Sequence, residues 1–347
     1  MEKIFLFAFV LLAAVFARAT EKVVFDTDMG NDCDDVLAQV MLLSYAQQAR
    51  AEILCIATNK DNALSPKFVR LICEYYGFGN IPVYAVSGGV SPLDGHFLRQ
   101  TFDRKTPDGK PAHALKNPSE NFADSVSGLR KTLAAQPDNS VVYISAGFFT
   151  NLARLIESKP DDVSPLSGRE LVAKKVKYVS AMAGGFTPAE FWGRTTDRVY
   201  PEYNVIVDLP ASKAVLENPP CPIVLSPFEL GINLRFPYYS VLRDFKNPSE
   251  NPASFACDTY VRRIFNVSKN TLELDRYMWD LTSVLFVFEP QLFGVSAAGE
   301  VEVARNGVTT FIPSKDGKSG KIRYLTMKPQ HGKKIISKCV ELVRSAR

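Results

Sequence analysis

Five carboxylates fall within the ten residues 26–35 of the run Phe25-Asp26-Thr27-Asp28-Met29-Gly30-Asn31-Asp32-Cys33-Asp34-Asp35. At neutral pH acids this crowded repel one another, and they either take up protons or gather a divalent cation. An all-oxygen donor set suits a hard ion, Ca²⁺ ahead of Mg²⁺. The commoner use of an aspartate in such a place is to cap a helix, which accounts for one or two of the five. An EF-hand loop is excluded, because it asks for an oxygen ligand at its fifth position and glycine at its sixth. Counted from Asp26, those positions hold Gly30 and Asn31.

The elements around the cluster follow from the hydrophobic pattern. Residues 22–25 form a short apolar run that ends at the carboxylates, and a helix-like stretch runs from 34 to about 48, so the cluster joins a strand to a helix. The pattern repeats as strand 52–58, helix 65–76, strand 81–86, helix 121–135, strand 140–145 and helix 150–158. Strands alternating with helices predict βαβ units and a mostly parallel central sheet flanked by helices, an α/β fold. Further strands are expected at 177–182 and 222–226, helices at 211–217 and 281–288, a small antiparallel hairpin within 295–310 and a closing amphipathic helix at 331–344. In such sheets ligands bind beyond the carboxyl ends of the strands, where the cluster lies. Asp34 and Asp35 would stand in the first helical turn, where the macrodipole favours negative charge. Residues 88–118 are the main interruption, read as a lid or insertion, with surface decoration as the alternative.

The chain has 347 residues, 46% hydrophobic, 22% charged and 11% aromatic, an ordinary globular composition that predicts one domain. Lys+Arg number 41 against 37 Asp+Glu, a net +4 spread along the chain. That gives no electrostatic footprint for nucleic acid or an anionic membrane, and points to small-molecule partners. Residues 1–19 combine Lys3, an apolar run over 4–16 and the triplet Ala17-Arg18-Ala19, the pattern of a signal peptide. Export to a secreted or periplasmic location follows, with residues 20–347 as the mature domain and no stable membrane association after cleavage. An uncleaved anchor is the alternative, although the run is short for a bilayer of about 30 Å. The six cysteines, at 33, 55, 73, 221, 257 and 339, are scattered and read as buried free thiols. Asn266-Val267-Ser268 is the one plain N-glycosylation triplet.

The carboxylate run resembles the N-terminal signature Asp-x-Asp-Pro-Gly-x-Asp-Asp of the nucleoside hydrolase family, also called inosine/uridine-preferring. Other segments resemble that family in the expected order. They are Thr58-Asn59-Lys60-Asp61-Asn62, Ser145-Ala146-Gly147-Phe148-Phe149-Thr150-Asn151, Met182-Ala183-Gly184-Gly185, Glu202-Tyr203-Asn204 with Asp208, and Trp279-Asp280-Leu281. The resemblance implies hydrolysis of the N-glycosidic bond of a ribonucleoside or related riboside, with one Ca²⁺ on the sugar hydroxyls and the attacking water. It implies Asp28 as ligand and general base, Asp35 and Asp280 as ligands, and Thr150 as a ligand through its main-chain oxygen. Asp34, Asn62, Glu202 and Asn204 would hold ribose hydroxyls, with Asp26 in support, and homo-oligomerisation is a family-level expectation. The chemistry agrees, since breaking a C1′–N bond builds an oxocarbenium-like cation that nearby negative charge stabilises.

Three departures stand out. The loop is two residues longer than the signature, so Asp28 and Asp35 lie seven apart and Asp32 becomes a further candidate ligand. Trp279 occupies the position where many members carry a leaving-group histidine; indole cannot act as that acid but can stack on a base. The third departure is the long loop itself, which carries His96 and His113. Two rival readings remain. One is a secreted riboside-binding or interaction protein without turnover. The other is a haloacid-dehalogenase-like phosphatase with Asp26 as nucleophile, although Met29-Gly30 does not follow that pattern.

Overall fold

The structure, a computed structural model, describes residues 20–191, 194–195, 199–265 and 274–347. The expected signal peptide and the Asn266 triplet lie outside the described residues. In chain order the first strands are β1 (Glu21–Thr27), β2 (Ala51–Lys60), β3 (Val83–Val90), β4 (Ala123–Asp124), β5 (Val141–Ala146) and β6 (Val176–Met182). Between and after them come α1 (Asp34–Gln47), α2 (Leu64–Tyr75), α3 (Leu98–Asp103), α4 (Ser125–Ala134), α5 (Thr150–Glu157) and α6 (Gly168–Lys175). Beyond β6, α7 (Tyr203–Val207) and α8 (Leu209–Leu216) lead to β7 (Ile223–Ser226). Then follow α9 (Phe228–Ile232), α10 (Tyr238–Arg243), α11 (Pro252–Ile264) and α12 (Trp279–Phe288). The chain ends with β8 (Phe293–Val295), β9 (Gly299–Val303), β10 (Thr309–Pro313), β11 (Ile322–Met327) and α13 (Gly332–Ser345).

Eleven strands form one sheet in the order β10-β9-β11-β7-β6-β5-β1-β2-β3-β4, with β8 paired to β11. All pairings from β4 to β7, and that of β7 with β11, are parallel. The central strands are apolar on both faces because both are covered. In β1, Val23 and Phe25 belong to one core and Val24 to the other, and in β5 the same split separates Val142 and Ile144 from Val141 and Tyr143. Each such side chain taken fully out of water contributes about 1.5–3 kcal/mol. The expected small hairpin is β9–β10, and it is no separate appendage. Through β11 it extends the edge of the main sheet.

Strand order decides where a site can form. The connection after β1 crosses to β2 on one side, whereas that after β5 crosses to β6 on the other, so the loops leaving two adjacent strands diverge. Such a switch point opens a crevice at the carboxyl edge of the sheet. α1 starts there and is buried from Asp34 to Tyr45, enclosed by α11, α12 and α13. Tyr45 stacks on Phe288 at 4.1 Å, tying α1 to the end of α12. All six cysteines are buried and free of disulfides. No helix among the described residues is long and apolar enough to cross a membrane.

Candidate active site

The period-two alternation of β1 sends its last side chains to opposite faces. Thr27 points to α1, where its hydroxyl donates to the Asp35 carboxylate. Asp26 points to the other face and is fully buried. It accepts from the Tyr143 hydroxyl at 2.6 Å, Asn151 Nδ2 at 2.8 Å and Asn59 Nδ2 at 3.0 Å. Burial pushes its carboxyl up to about 7 despite these three donors. Asp26 therefore ties β1, β2 and α5 together beneath the site and offers nothing to a ligand above it.

Asp28 leaves the strand at the switch point, its backbone N–H donating to the Ala146 carbonyl at 3.1 Å. Its carboxylate meets those of Asp35, at the start of α1, and Asp280, at the start of α12, with oxygens all within 4.8 Å of one another. The two helix N-termini are coupled by the Asp280 backbone N–H, which donates to Asp34 Oδ2 at 3.2 Å. Their positive dipole ends favour this accumulation of acids. Burial and the neighbouring carboxylates nonetheless hold Asp34, Asp35 and Asp280 well above the usual carboxylate range. Burial pushes Asp28 up to about 6, opposed chiefly by the Asn31 hydrogen bond of 2.6 Å. Asn31 in turn accepts from buried Lys60 at 2.6 Å, and the Lys60 charge also lowers Asp28.

The triad opens into a cavity of about 650 Å³ that also displays Asp34, Glu202, Asn204 and Trp279. Glu202 is the N-cap of α7 and accepts from the backbone of Asn204 at 2.8 Å, Val205 at 3.1 Å and Gly184 at 3.3 Å. Burial outweighs those donors and raises it to about 7. Asn204 Nδ2 donates to the Met182 carbonyl at 3.1 Å, which fixes the amide at the end of β6. An aromatic wall closes the far end. Tyr200 stacks on Phe228 at 4.7 Å, Phe228 on Trp279 at 5.7 Å, and Tyr277 tilts against Trp279 at 4.9 Å. The indole N–H of Trp279 donates to the Phe228 carbonyl at 3.1 Å, which fixes the ring in the cavity wall. Gly231 makes room for it, since a Cβ there would stand 2.2 Å from Trp279 Cδ1.

The long loop forms part of the cavity wall through Ser91, Pro92, Leu93, Gly95 and His96. It is seated on the carboxylate loop so closely that a Cβ at Gly95 (φ +69°) would lie 1.9 Å from the Gly30 carbonyl oxygen. His113 is buried elsewhere, beside Phe255 at 5.6 Å and Arg104 at 3.4 Å.

Two expectations need correction. Asn62 does not line the cavity: its Nδ2 donates to Pro92 O at 2.8 Å and Asp94 Oδ1 at 3.0 Å, and its Oδ1 accepts from Leu64 N at 2.8 Å. Its amide anchors the loop and starts α2. Asp32, the extra candidate ligand, stands outside the triad, because its Oδ2 is taken by Arg276 Nη2 at 2.7 Å and the Tyr260 hydroxyl at 2.7 Å. Thr150 opens α5 beside the crevice with its hydroxyl donated to Asp208. Sequence reasoning missed Asn59, Lys60, Asn31, Asn151, Tyr260 and Arg276. Asn59 and Lys60 could have been noticed had β2 been extended to its true end.

Residues 23–334 match the family profile described as inosine-uridine preferring nucleoside hydrolase. No curated protein sequence matches the chain. Among solved structures, a plant nucleoside hydrolase superposes with TM-score 0.66 at 18% identity, covering 94% of this chain and 99% of that one. A purine-preferring ribonucleoside hydrolase from Gardnerella vaginalis gives 0.66 at 14% identity over 93% and 99%. An inosine-uridine preferring nucleoside hydrolase from Bacillus anthracis gives 0.64 at 17% identity over 94% and 100%. At such identities the likeness speaks to the fold alone.

Proposed function

Because the chain belongs to the inosine-uridine preferring nucleoside hydrolase family of N-glycosyl hydrolases, we propose that it hydrolyses a ribonucleoside or related riboside to free base and ribose, using a calcium ion. The donor set supports the ion: three buried carboxylates, two flanking the loop between β1 and α1 and one at the start of α12, present oxygens within 4.8 Å, and the Lys60 ammonium hydrogen-bonds Asn31 and Ser91. Asp28, Asp35 and Asp280 would hold it together with the main-chain oxygen of Thr150. When bound, the ion supplies Lewis acidity, lowering the pKa of the attacking water and fixing sugar hydroxyls.

The remaining work falls to the chain. Asp28, oriented by Asn31 and by its own backbone hydrogen bond to Ala146, accepts the proton of the attacking water. Asp34, Glu202 and Asn204 hold ribose hydroxyls, Glu202 being immobilised by three backbone N–H groups. The concentration of negative charge stabilises the oxocarbenium-like sugar. Trp279 offers its ring to the base, its N–H being already engaged. The carrying observation is that Asp28, Asp35 and Asp280 converge in the cavity that Glu202 and Asn204 also line.

The test is release of reducing sugar from inosine, uridine, cytidine, guanosine and nicotinamide riboside with calcium present. Asp28→Ala should abolish release while leaving the circular dichroism spectrum unchanged. Binding without release by the native protein would favour the riboside-binding reading. A phosphatase is disfavoured by Asp26, whose carboxylate is fully buried beneath three donors where a nucleophile would have to be exposed. Export is part of the same proposal, resting on residues 1–19, and a secreted product beginning near residue 20 would support it.

A further inference from the structure

Lys60 closes β2 and is buried, a rare place for an ammonium, and its hydrogen bonds go to two neighbouring loops. Nζ donates to Asn31 Oδ1 at 2.6 Å, to Ser91 Oγ at 2.8 Å and to the Ser91 carbonyl at 2.9 Å. The Ser91 hydroxyl closes the ring by donating to Asn31 Oδ1 at 3.1 Å. Three acceptors around one nitrogen use every donor that a charged lysine has. Ser91 stands at φ +59°, a left-handed conformation uncommon for a residue with a side chain, and both of its bonds from Lys60 hold it there. The next two residues make simpler ties. The Asp61 N–H donates to the Val90 carbonyl at 2.9 Å and Asn62 Nδ2 to that of Pro92 at 2.8 Å, both within the long loop. Lys60 reaches the carboxylate loop as well.

Both partners of Lys60 line the cavity, whereas Lys60 itself lies behind them. Asn31 passes the contact on, its Nδ2 donating to Asp28 Oδ2 at 2.6 Å. Ser91 begins the stretch of wall that continues through Pro92, Leu93 and Gly95. The carboxylate loop is two residues longer than the family signature, and a longer loop has more conformations to exclude. On its far side Asp32 is tied to Arg276 and to Tyr260, each at 2.7 Å. On the Asp28 side the tie is the ring of Lys60, Asn31 and Ser91. We propose that Lys60 is a positioning residue: by clamping Asn31 to Ser91 it seats the cavity wall on the carboxylate loop and fixes the Asp28 carboxylate toward the ion and the attacking water. The inference deepens the riboside hydrolysis proposed above and rests on it for the role of Asp28. Groups that orient metal ligands from behind are worth about 10–100-fold in metal affinity or activity. The rival reading is that Lys60 only fills a polar gap at the end of β2.

The experiment uses the full chain and compares wild type, Lys60→Met, Asn31→Ala, the double variant and Ser91→Ala. Three quantities are measured: the calcium dissociation constant by titration calorimetry, amide hydrogen exchange over residues 89–96 without calcium, and kcat and KM on whichever riboside of the panel above wild type cleaves. Lys60→Met keeps a similar length of side chain without the charge and should weaken calcium binding about 10–100-fold. Asn31→Ala should do the same, and the double variant should fall no further, because both residues act on Asp28 through one chain of contacts. Exchange over residues 89–96 should quicken about tenfold or more in Lys60→Met and stay unchanged in the β9–β10 hairpin. Ser91→Ala should raise KM more than it lowers kcat, whereas Lys60→Met should shift both. Additive losses of calcium affinity in the double variant, or exchange in Lys60→Met that is unchanged over residues 89–96, would overturn the proposal. So would faster exchange spread evenly along the chain, the result expected of a residue that only fills space. If Lys60→Met does not fold, Ser91→Ala decides, since loss of the hydroxyl alone should quicken exchange in the same residues and no others. Wild type that neither binds calcium nor releases sugar would overturn the function proposed above, and the exchange rates would still judge the clamp.

Discussion

Asp280→Asn keeps the size of the side chain and removes one of three charges that lie within 4.8 Å of each other. At that separation and an effective dielectric of about 20, each ionised pair costs about 3.5 kcal/mol, and the substitution deletes two of the three pairs. Partial protonation relieves part of the repulsion in the native protein, so the recoverable gain is about 1–3 kcal/mol. At pH 8 in chelator the variant should therefore melt about 2–5 °C above wild type, scaled for a chain of this length. With calcium at about 100 to 1,000 times its dissociation constant, wild type should gain roughly 2.7–4.1 kcal/mol and the variant far less. The ranking of the two proteins thus inverts between chelator and calcium. Differential scanning calorimetry in both conditions, with magnesium as a third, reads this directly and ranks the two ions. A variant that is less stable than wild type in chelator, and equally responsive to calcium, would refute the convergence of charge on one ion.

Gly231→Ala would place a Cβ 2.2 Å from the Trp279 ring and 2.7 Å from its backbone Cα, so rotation of the indole cannot relieve the clash. We expect a loss of about 1–3 kcal/mol in urea denaturation, together with a raised KM for ribosides; an unchanged KM would detach Trp279 from base contact. Tyr143→Phe removes one of three donors to the fully buried Asp26 carboxylate and should cost roughly 1.5–3 kcal/mol, a figure that denaturant titration at pH 8 can contradict. His113 is held neutral, at about 4, first by burial and then by Arg104. Between its ordinary value and 4 the unfolded chain binds a proton that the folded one does not, so stability falls as pH drops through that window, by up to about 3 kcal/mol. His113→Phe should flatten this acid loss, and parallel slopes for the two proteins between pH 7 and pH 5 would exclude the effect.

What could be read from the sequence was local, and what could not was long-range or depended on one residue of strand length. The run into Asp26 and the acids opening α1 are contiguous, so strand, loop and helix were legible from periodicity and from charge at a helix start. The place of Asn62 shows the limit. β2 continues to Lys60, two residues past its apparent end, and this buries Asn59 and Lys60 and leaves Asn62 outside to start α2. Glutamate is not among the preferred N-cap residues, so nothing in the pattern announced that Glu202 caps α7. Asp32 looked like a ligand because its partner, Arg276, lies 244 residues further on. The divergence of loops after β1 and β5 is a property of strand order, which no local pattern contains.

The link between Asp34 and Asp280 spans 246 residues, joining the first helix to the last helix before the C-terminal strands. During synthesis the early half can build most of its parallel sheet with two of the three acids already in place, yet it has no complete cage for an ion until α12 docks. Ion capture thus reports on the arrival of the late part of the polypeptide, and a fragment that stops short of Trp279 would have a crevice without a grip.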